Sequence, residues 1–332
     1  MRLSLRRNLW IVPVALTLAI VALPAWSYLS EYDNANLVPG TPDHWPTNSF
    51  TYRLNPASAT ANTNIKDQLT RSVATVMQAS FAAWTSAPGV TLSVTRGADD
   101  NSTTAPTTSE NLIAFSCSDL NACDFQKEKQ TLAVTITNTD NVGNITSGNM
   151  FFNQSQVFTT VSANASDKEQ DMQTVATHEA GHFFGLDHSG VVGAIMFPVA
   201  PLQQSQLADD DVAGITSVYP ATSDGGTPHC PSGTARISGH ITLNGVAVFG
   251  AHVFAEPISS SGFGAPVRRS PIGTLSLPDG SYQIACMPVG SYIVVAEPLD
   301  SPVTNSDVSW AGSNGAFPSK SAVQTNFTTR WH

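Results

Sequence analysis

Charge is scarce in this 332-residue chain: Lys, Arg, Asp and Glu together make up only 12% of it. Neither a heptad repeat nor a glycine at every third position runs through the sequence, which excludes coiled-coil and collagen-like classes. Positive charge is the scarcer sign, with 15 basic against 25 acidic residues and a net charge of −10. Three of those 15 are Arg2, Arg6 and Arg7, which leaves 12 basic residues after residue 25 against all 25 acidic ones. No basic stripe remains, so the chain is a poor candidate for binding nucleic acid or anionic membrane. Cysteine is sparse and even in number, at four. What the chain does have is apolar material, 41% of its residues, enough to build a core rather than a disordered coil. Its length fits about two domains.

The first segment reads as an address. Arg2, Arg6 and Arg7 precede an apolar run over 9–23, and small residues follow at Ala25 and Ser27. This is the layout of a secretory signal peptide over 1–27; the run is too short for a comfortable membrane span, so no stable span remains after cleavage. Export implies an oxidising compartment and paired cysteines. Four cysteines allow three pairings; the pairs nearest in sequence, Cys117–Cys123 and Cys230–Cys286, are favoured, one in each domain.

After a lead-in over 28–49, a strand is expected over 50–54, ending at Asn55-Pro56. Apolar residues at Ile65, Leu69, Val73, Val76, Met77, Phe81 and Trp84 have a helical period, so a first helix is expected over 65–84. Strands are expected at 90–94, 112–115, 132–137 and 150–152. A second helix is expected over 167–184, with Ser166 and Glu169 as a capping box. A third is expected over 209–218, its first turn holding Asp209, Asp210 and Asp211, which read as capping residues rather than a calcium site. Residues 222–233 have the composition of a linker. Beyond them only strands are expected, with turns at Asn244-Gly245 and Asp279-Gly280; residues 234–300 predict a small β-sandwich and 301–332 a tail or incomplete segment.

The chemistry is concentrated in His178-Glu179-Ala180-Gly181-His182-Phe183-Phe184-Gly185-Leu186-Asp187-His188. His178 and His182 are four apart, which on a helix places both imidazoles on one face. Such a pair can bind one zinc ion, and Glu179, about 100° round the helix, can reach a bound water without being a ligand. Gly185 permits the positive φ of a tight helix exit, after which the chain can return His188 as a third ligand. Three imidazoles leave a fourth position open, as in a catalytic zinc site. Five fixed residues in eleven arise by chance on the order of once in ten million start positions.

These residues resemble the metzincins, and within them the matrixins. Ser189 follows the third histidine as in that family, and Ala194-Ile195-Met196-Phe197-Pro198 is similar to its Met-turn, implying that Met196 forms an apolar floor beneath the ligands. Residues 207–219 resemble the family's closing helix. The resemblance implies an α+β metzincin catalytic domain over 50–221, a twisted sheet with three main helices, followed by the all-β sandwich. The segment after 230 is similar to carboxypeptidase regulatory-like (transthyretin-like) modules. Implied function is a secreted zinc endopeptidase: one catalytic Zn2+ on His178, His182 and His188, Glu179 as general base and acid, and a protein or peptide substrate laid along the edge strand at 132–137. Calcium is also possible, at sites that do not map residue by residue. The β module is read as a spacer or as a binder of a surface or substrate polymer, and His229, His240 and His252 as structural or solvated. The chain departs from the family in several ways. No cysteine precedes Cys117, so no cysteine switch is expected. No histidine lies between Pro46 and Thr177, so an upstream histidine-bound structural zinc is not expected either. Phe197 replaces the usual Tyr, and Ala208 stands where a capping Ser is common, at a cost of about 1 kcal/mol. Competing readings are a thermolysin-like hydrolase, disfavoured by His188 and Met196, and a secreted binding or adhesive protein with an inactive metzincin-like domain.

Overall fold

The computed structural model describes residues 43–101, 111–117, 123, 125, 130–140, 142–201, 203–224, 227–258, 269–299, 304 and 322–331. The signal-peptide expectation and most of the tail lie outside these residues.

The first half is a mixed sheet with helices packed against it. Its strands are β1 (Ser49–Leu54), β3 (Ser93–Arg96), β4 (Leu112–Ala114), β5 (Ala133–Thr139) and β6 (Ile145–Phe152), in the spatial order β3-β1-β4-β6-β5. All neighbours are parallel except β5, which runs antiparallel to β6 and ends the sheet. Between β1 and β3 lie α1 (Pro56–Ala61), β2 (Ile65–Lys66) and α2 (Val73–Thr85). After β6 come β7 (Phe158–Thr159), β8 (Gln170–Asp171), α3 (Met172–Phe183) and α4 (Asp209–Val218). Helix α3 lies against β6 closely enough that a Cβ on Gly148 would come within 3.1 Å of the Phe183 ring. The space between sheet and helices is filled by aromatic rings: Phe50 stacks on Trp45 at 4.9 Å and on Phe183 at 5.1 Å, with Phe81 and Phe184 edge-on. Offset and edge contacts of this kind add about 0.5–1.5 kcal/mol per pair beyond the area buried. On the opposite face Cys117–Cys123 closes a smaller cluster with Ala114, Phe125 and Phe151.

Two helix starts differ from the sequence expectation. Helix α2 begins at Val73, with the Ser72 hydroxyl accepting from Thr75 N at 3.2 Å. Ile65 instead pairs in β2 with Phe158, and Leu69, though in phase, is fully exposed. Asp67 breaks the run: its φ of +63° is incompatible with a helix, and its carboxylate accepts from Thr159 and Asn164. Helix α3 begins at Met172, capped by Asp171, which accepts from Gln173 N and from the Thr174 and Ser162 hydroxyls. Ser166 and Glu169 do not form a capping box; their backbones bond to each other across a turn at 2.9 and 3.1 Å. Helix α1, not expected, follows directly from Asn55-Pro56: the Asn55 side chain caps Ser58 N at 3.0 Å, and Pro56 occupies the first turn, where its missing N–H costs nothing.

Beyond α4 the described elements are strands. Within the stretch of linker composition, β9 (Thr222–Asp224) pairs with β10 (Thr227–His229). Then follow β11 (Thr234–His240), β12 (Thr242–Leu243), β13 (Val246–Ala247), β14 (His252–Ile258), β15 (Ile272–Leu275), β16 (Ser281–Pro288), β17 (Ser291–Glu297) and β18 (Arg330–Trp331). They form β11-β16, the hairpin β12-β13 and the four-stranded β15-β14-β17-β18, all antiparallel. The β12-β13 turn takes positive φ at both Asn244 (54°) and Gly245 (82°), the primed-turn signature expected of Asn-Gly. Cys230 is bonded to Cys286, the favoured second pair. Among the described residues no helix is long and apolar enough to cross a membrane.

Candidate metal centre

Helix α3 carries His178 and His182 on one face, and its exit returns His188 to them. The exit is built on Gly185, whose φ is +84° and whose absent side chain leaves room for the Asp43 carbonyl. Carbonyls at a helix end have no partner in the helix. Here Trp45 Nε1 donates to Phe183 O at 2.8 Å and the Tyr219 hydroxyl donates to Phe184 O at 3.0 Å, fixing where the chain leaves.

The three imidazoles converge. His182 Nε2 is 3.2 Å from His178 Nε2 and 3.3 Å from His188 Nε2. Two nitrogens bound to one tetrahedral zinc at ~2.0–2.1 Å are about 3.3–3.4 Å apart. The contact between His178 and His182 is not a hydrogen bond between rings. His178 Nδ1 lies 2.7 Å from Ile195 O, and His182 Nδ1 lies 2.7 Å from Leu186 O. A carbonyl only accepts, so both Nδ1 atoms carry the hydrogen and both Nε2 atoms present bare lone pairs to each other. Protonating one ring is disfavoured: burial, then the neighbouring His182 and His188, push the His178 pKa well below the usual imidazole value. Lone pairs held together in this way fit a cation, so the donor set can hold one metal ion.

The surrounding shell fixes the ligands. Asp211 accepts from Ile195 N at 2.8 Å and Met196 N at 3.1 Å, holding the carbonyl that orients His178. It also accepts from Ala208 N, so half of a capping box persists although Ala208 has no side-chain acceptor. Met196 is fully buried, and a Cβ on Gly181 would collide with its sulfur and come within 2.8 Å of Trp84. Glu179 is 5% exposed. The Thr135 hydroxyl, on β5, donates to Glu179 Oε2 at 2.7 Å, with Glu179 O also within reach at 3.1 Å. Thus the structure groups His178, His182 and His188 as one cluster, sets Glu179 beside it, and buries Met196 nearby. Thr135, Gly181 and Asp211 were not singled out from sequence as parts of the site. The hint for Thr135 is its position on the strand expected to carry the substrate; the hint for Gly181 is its place inside a helix, where glycine is otherwise unfavourable.

A mixed sheet backed by a helix whose histidines converge, with a third returned past a glycine, defines an α+β domain with a cluster able to hold a metal ion. A family model described as Matrixin matches residues 44–220, more than half of the sequence, and the chain belongs to the matrixin family. Similar stretches occur in Metalloendoproteinase 5-MMP of Arabidopsis thaliana, 41% identical over 70 residues, which is 20% of this chain and 18% of that protein. Metalloendoproteinase 1 of Glycine max is 45% identical over 51 residues, 15% of this chain and 17% of that protein. The matched stretches therefore span less than a fifth of these relatives.

Proposed function

We propose that the protein is a secreted, zinc-dependent endopeptidase. The observation that carries this is the convergence of His178, His182 and His188, with His182 Nε2 3.2 Å from His178 Nε2 and 3.3 Å from His188 Nε2, spacings that suit three ligands of one ion. His178, His182 and His188 would hold the ion, with Ile195 O and Leu186 O fixing the first two rings. Bound zinc supplies Lewis acidity, which polarises a peptide carbonyl and lowers the pKa of water towards ~7. The Glu179 carboxylate, held at one oxygen by Thr135, accepts the proton of the attacking water and returns it to the leaving amide nitrogen. Strand β5 ends the sheet beside Glu179, and an extended substrate can pair along it, which keeps the scissile bond in line with the cluster. Met196 closes the pocket floor and Gly185 sets the return of His188.

Secretion is supported by the basic-then-apolar leader and by two disulfides. For the organisation we read a protease domain over 50–221 and a carboxypeptidase regulatory-like β-sandwich over 234–300, supported by the antiparallel sheets of the second half. Replacing Glu179 by Gln tests the mechanism. The variant is expected to keep one zinc per chain and lose peptide hydrolysis by at least about 100-fold, the lower range for general acid–base catalysis. Turnover near that of the parent with zinc retained would reject the role of Glu179.

A further inference from the structure

The strands after residue 230 do more than follow the protease domain; they meet it behind the histidine cluster. Ala213 of α4 is fully buried in the same apolar cluster as Val253, Ile272, Ile284 and Met287 of the β region. Asp209 and Ser270 exchange two hydrogen bonds: Asp209 N donates to Ser270 Oγ at 2.8 Å, and Ser270 N donates to Asp209 Oδ2 at 3.1 Å. The next residue, Asp210, is 1% exposed and has one oxygen on each side of the seam. Its Oδ1 accepts from Gly273 N of β15 at 2.7 Å, and its Oδ2 is hydrogen-bonded to the Ser189 hydroxyl at 2.6 Å. Ser189 directly follows His188, and Ser189 N donates to Met196 O at 2.8 Å.

A ring fills the rest of the seam. His252 of β14 is 3% exposed and its Nδ1 is 2.9 Å from Glu297 Oε1, while its Nε2 has no hydrogen-bond partner among the described residues. A Cβ on Gly190 would sit 2.8 Å from His252 Cε1 and Nε2; a Cβ on Gly273 would sit 2.7 Å from His252 Nε2 and 3.0 Å from Val191 Cγ2. Gly190 of the loop and Gly273 of strand β15 therefore both rest on this imidazole with no spare room. The loop holding the third ligand is supported from the β region, not from its own domain alone.

The geometry points to a brace: His252 and Gly273, reaching across the seam to Gly190 and through Asp210 to Ser189, position His188 for the metal. This rests on the proposal that His188 is a ligand. His252 and Gly273 are positioning residues, since neither lies in the cluster. Groups that orient metal ligands typically control affinity by about 10- to 100-fold, whereas a spacer would control none.

The test is a wedge and its rescue, in the full chain. Gly190→Ala and Gly273→Ala each push a methyl against His252, one from the loop and one from β15, and neither glycine has a positive φ. Each folded variant, checked by circular dichroism, is expected to bind zinc about 10- to 100-fold more weakly in a chelator competition. In the background of His252→Ala, where the obstructing ring is gone, the same methyl should cost less than about threefold. Two wedges are used so that one failing to fold leaves the other to decide. Unchanged zinc affinity in a folded wedge variant, or an equal loss with and without the His252 ring, would overturn the brace. His188→Ala separates the two levels: zinc lost there but undisturbed by either wedge rejects the brace alone, while zinc retained there rejects the ligand assignment and the brace with it.

Discussion

Thr135 shows how much can depend on one hydroxyl. Its donation to Glu179 Oε2 is a hydrogen bond to a carboxylate, and such bonds contribute about 1.5–3 kcal/mol. Thr135→Val keeps the shape and removes the donor. We expect kcat/KM to fall about tenfold or more with zinc content unchanged, and Thr135→Ser to restore most of it; equal activity of the Val variant in a fluorogenic peptide assay would show that Glu179 needs no such support. The sequence pattern identifies a strand at 132–137 but neither its packing against the motif helix nor which alternate residue touches the carboxylate, because both depend on how β5 and α3 meet in the fold. Gly181 is a similar case. Helix propensity alone favours alanine there by about 1 kcal/mol, but overpacking costs about 1–3 kcal/mol, and the Met196 sulfur makes packing the larger effect.

At the scale of elements, strong motifs were legible and weak periodicities were not. The eleven-residue histidine signature required a helix, a glycine exit and a returning ligand, and α3, Gly185 and His188 are arranged in that way. The span 209–218 was also readable, since three acids in a first turn suit a helix dipole. The starts of α2 and α3 were not. Ile65 and Leu69 fall in helical phase, yet phase says nothing of the positive φ at Asp67 that stops a helix from reaching Val73. Ser166 and Glu169 have capping-box spacing, but the helix begins five residues later than that spacing requires. A stability comparison separates these caps. Asp171→Ala should destabilise by about 1–2 kcal/mol, since it removes a cap for Gln173 N, whereas Ser166→Ala should stay within about 0.5 kcal/mol. Urea denaturation of both variants checks this; a larger loss at Ser166 would restore the earlier start of the helix.

For the whole molecule, the contact between the two halves is what sequence reading could not supply. Composition marks 222–233 as a linker, and nothing local in Ser270 or Gly273 announces a partner at Asp209 or Asp210, some sixty positions away. The seam has a consequence for pH. Burial, and then the charge of Asp211, push the Asp210 pKa up to about 8. An unfolded Asp titrates near ~3.9, so between about 4 and 8 the folded chain holds a proton that the unfolded chain has released. Stability from this group is therefore lost as pH rises through that window. Asp210→Asn cannot ionise and can keep both contacts, its oxygen accepting from Gly273 N and its amide donating to Ser189. Relative to the parent it should gain more than about 1 kcal/mol between pH 5 and pH 8, one pKa unit being worth ~1.4 kcal/mol. A difference in urea stability that stays flat across that range would mean that Asp210 is charged in the folded protein.

In the proposed function, peptide cleavage depends on one metal ion held by three imidazoles. The most direct measurement strips the purified protein with a chelator and returns zinc in steps, following bound metal and peptide cleavage on the same sample. The expected result is cleavage absent at zero metal and complete at one ion per chain, with His182→Ala failing to respond. Full cleavage by the stripped protein, or no cleavage of any peptide at saturating zinc, would contradict it.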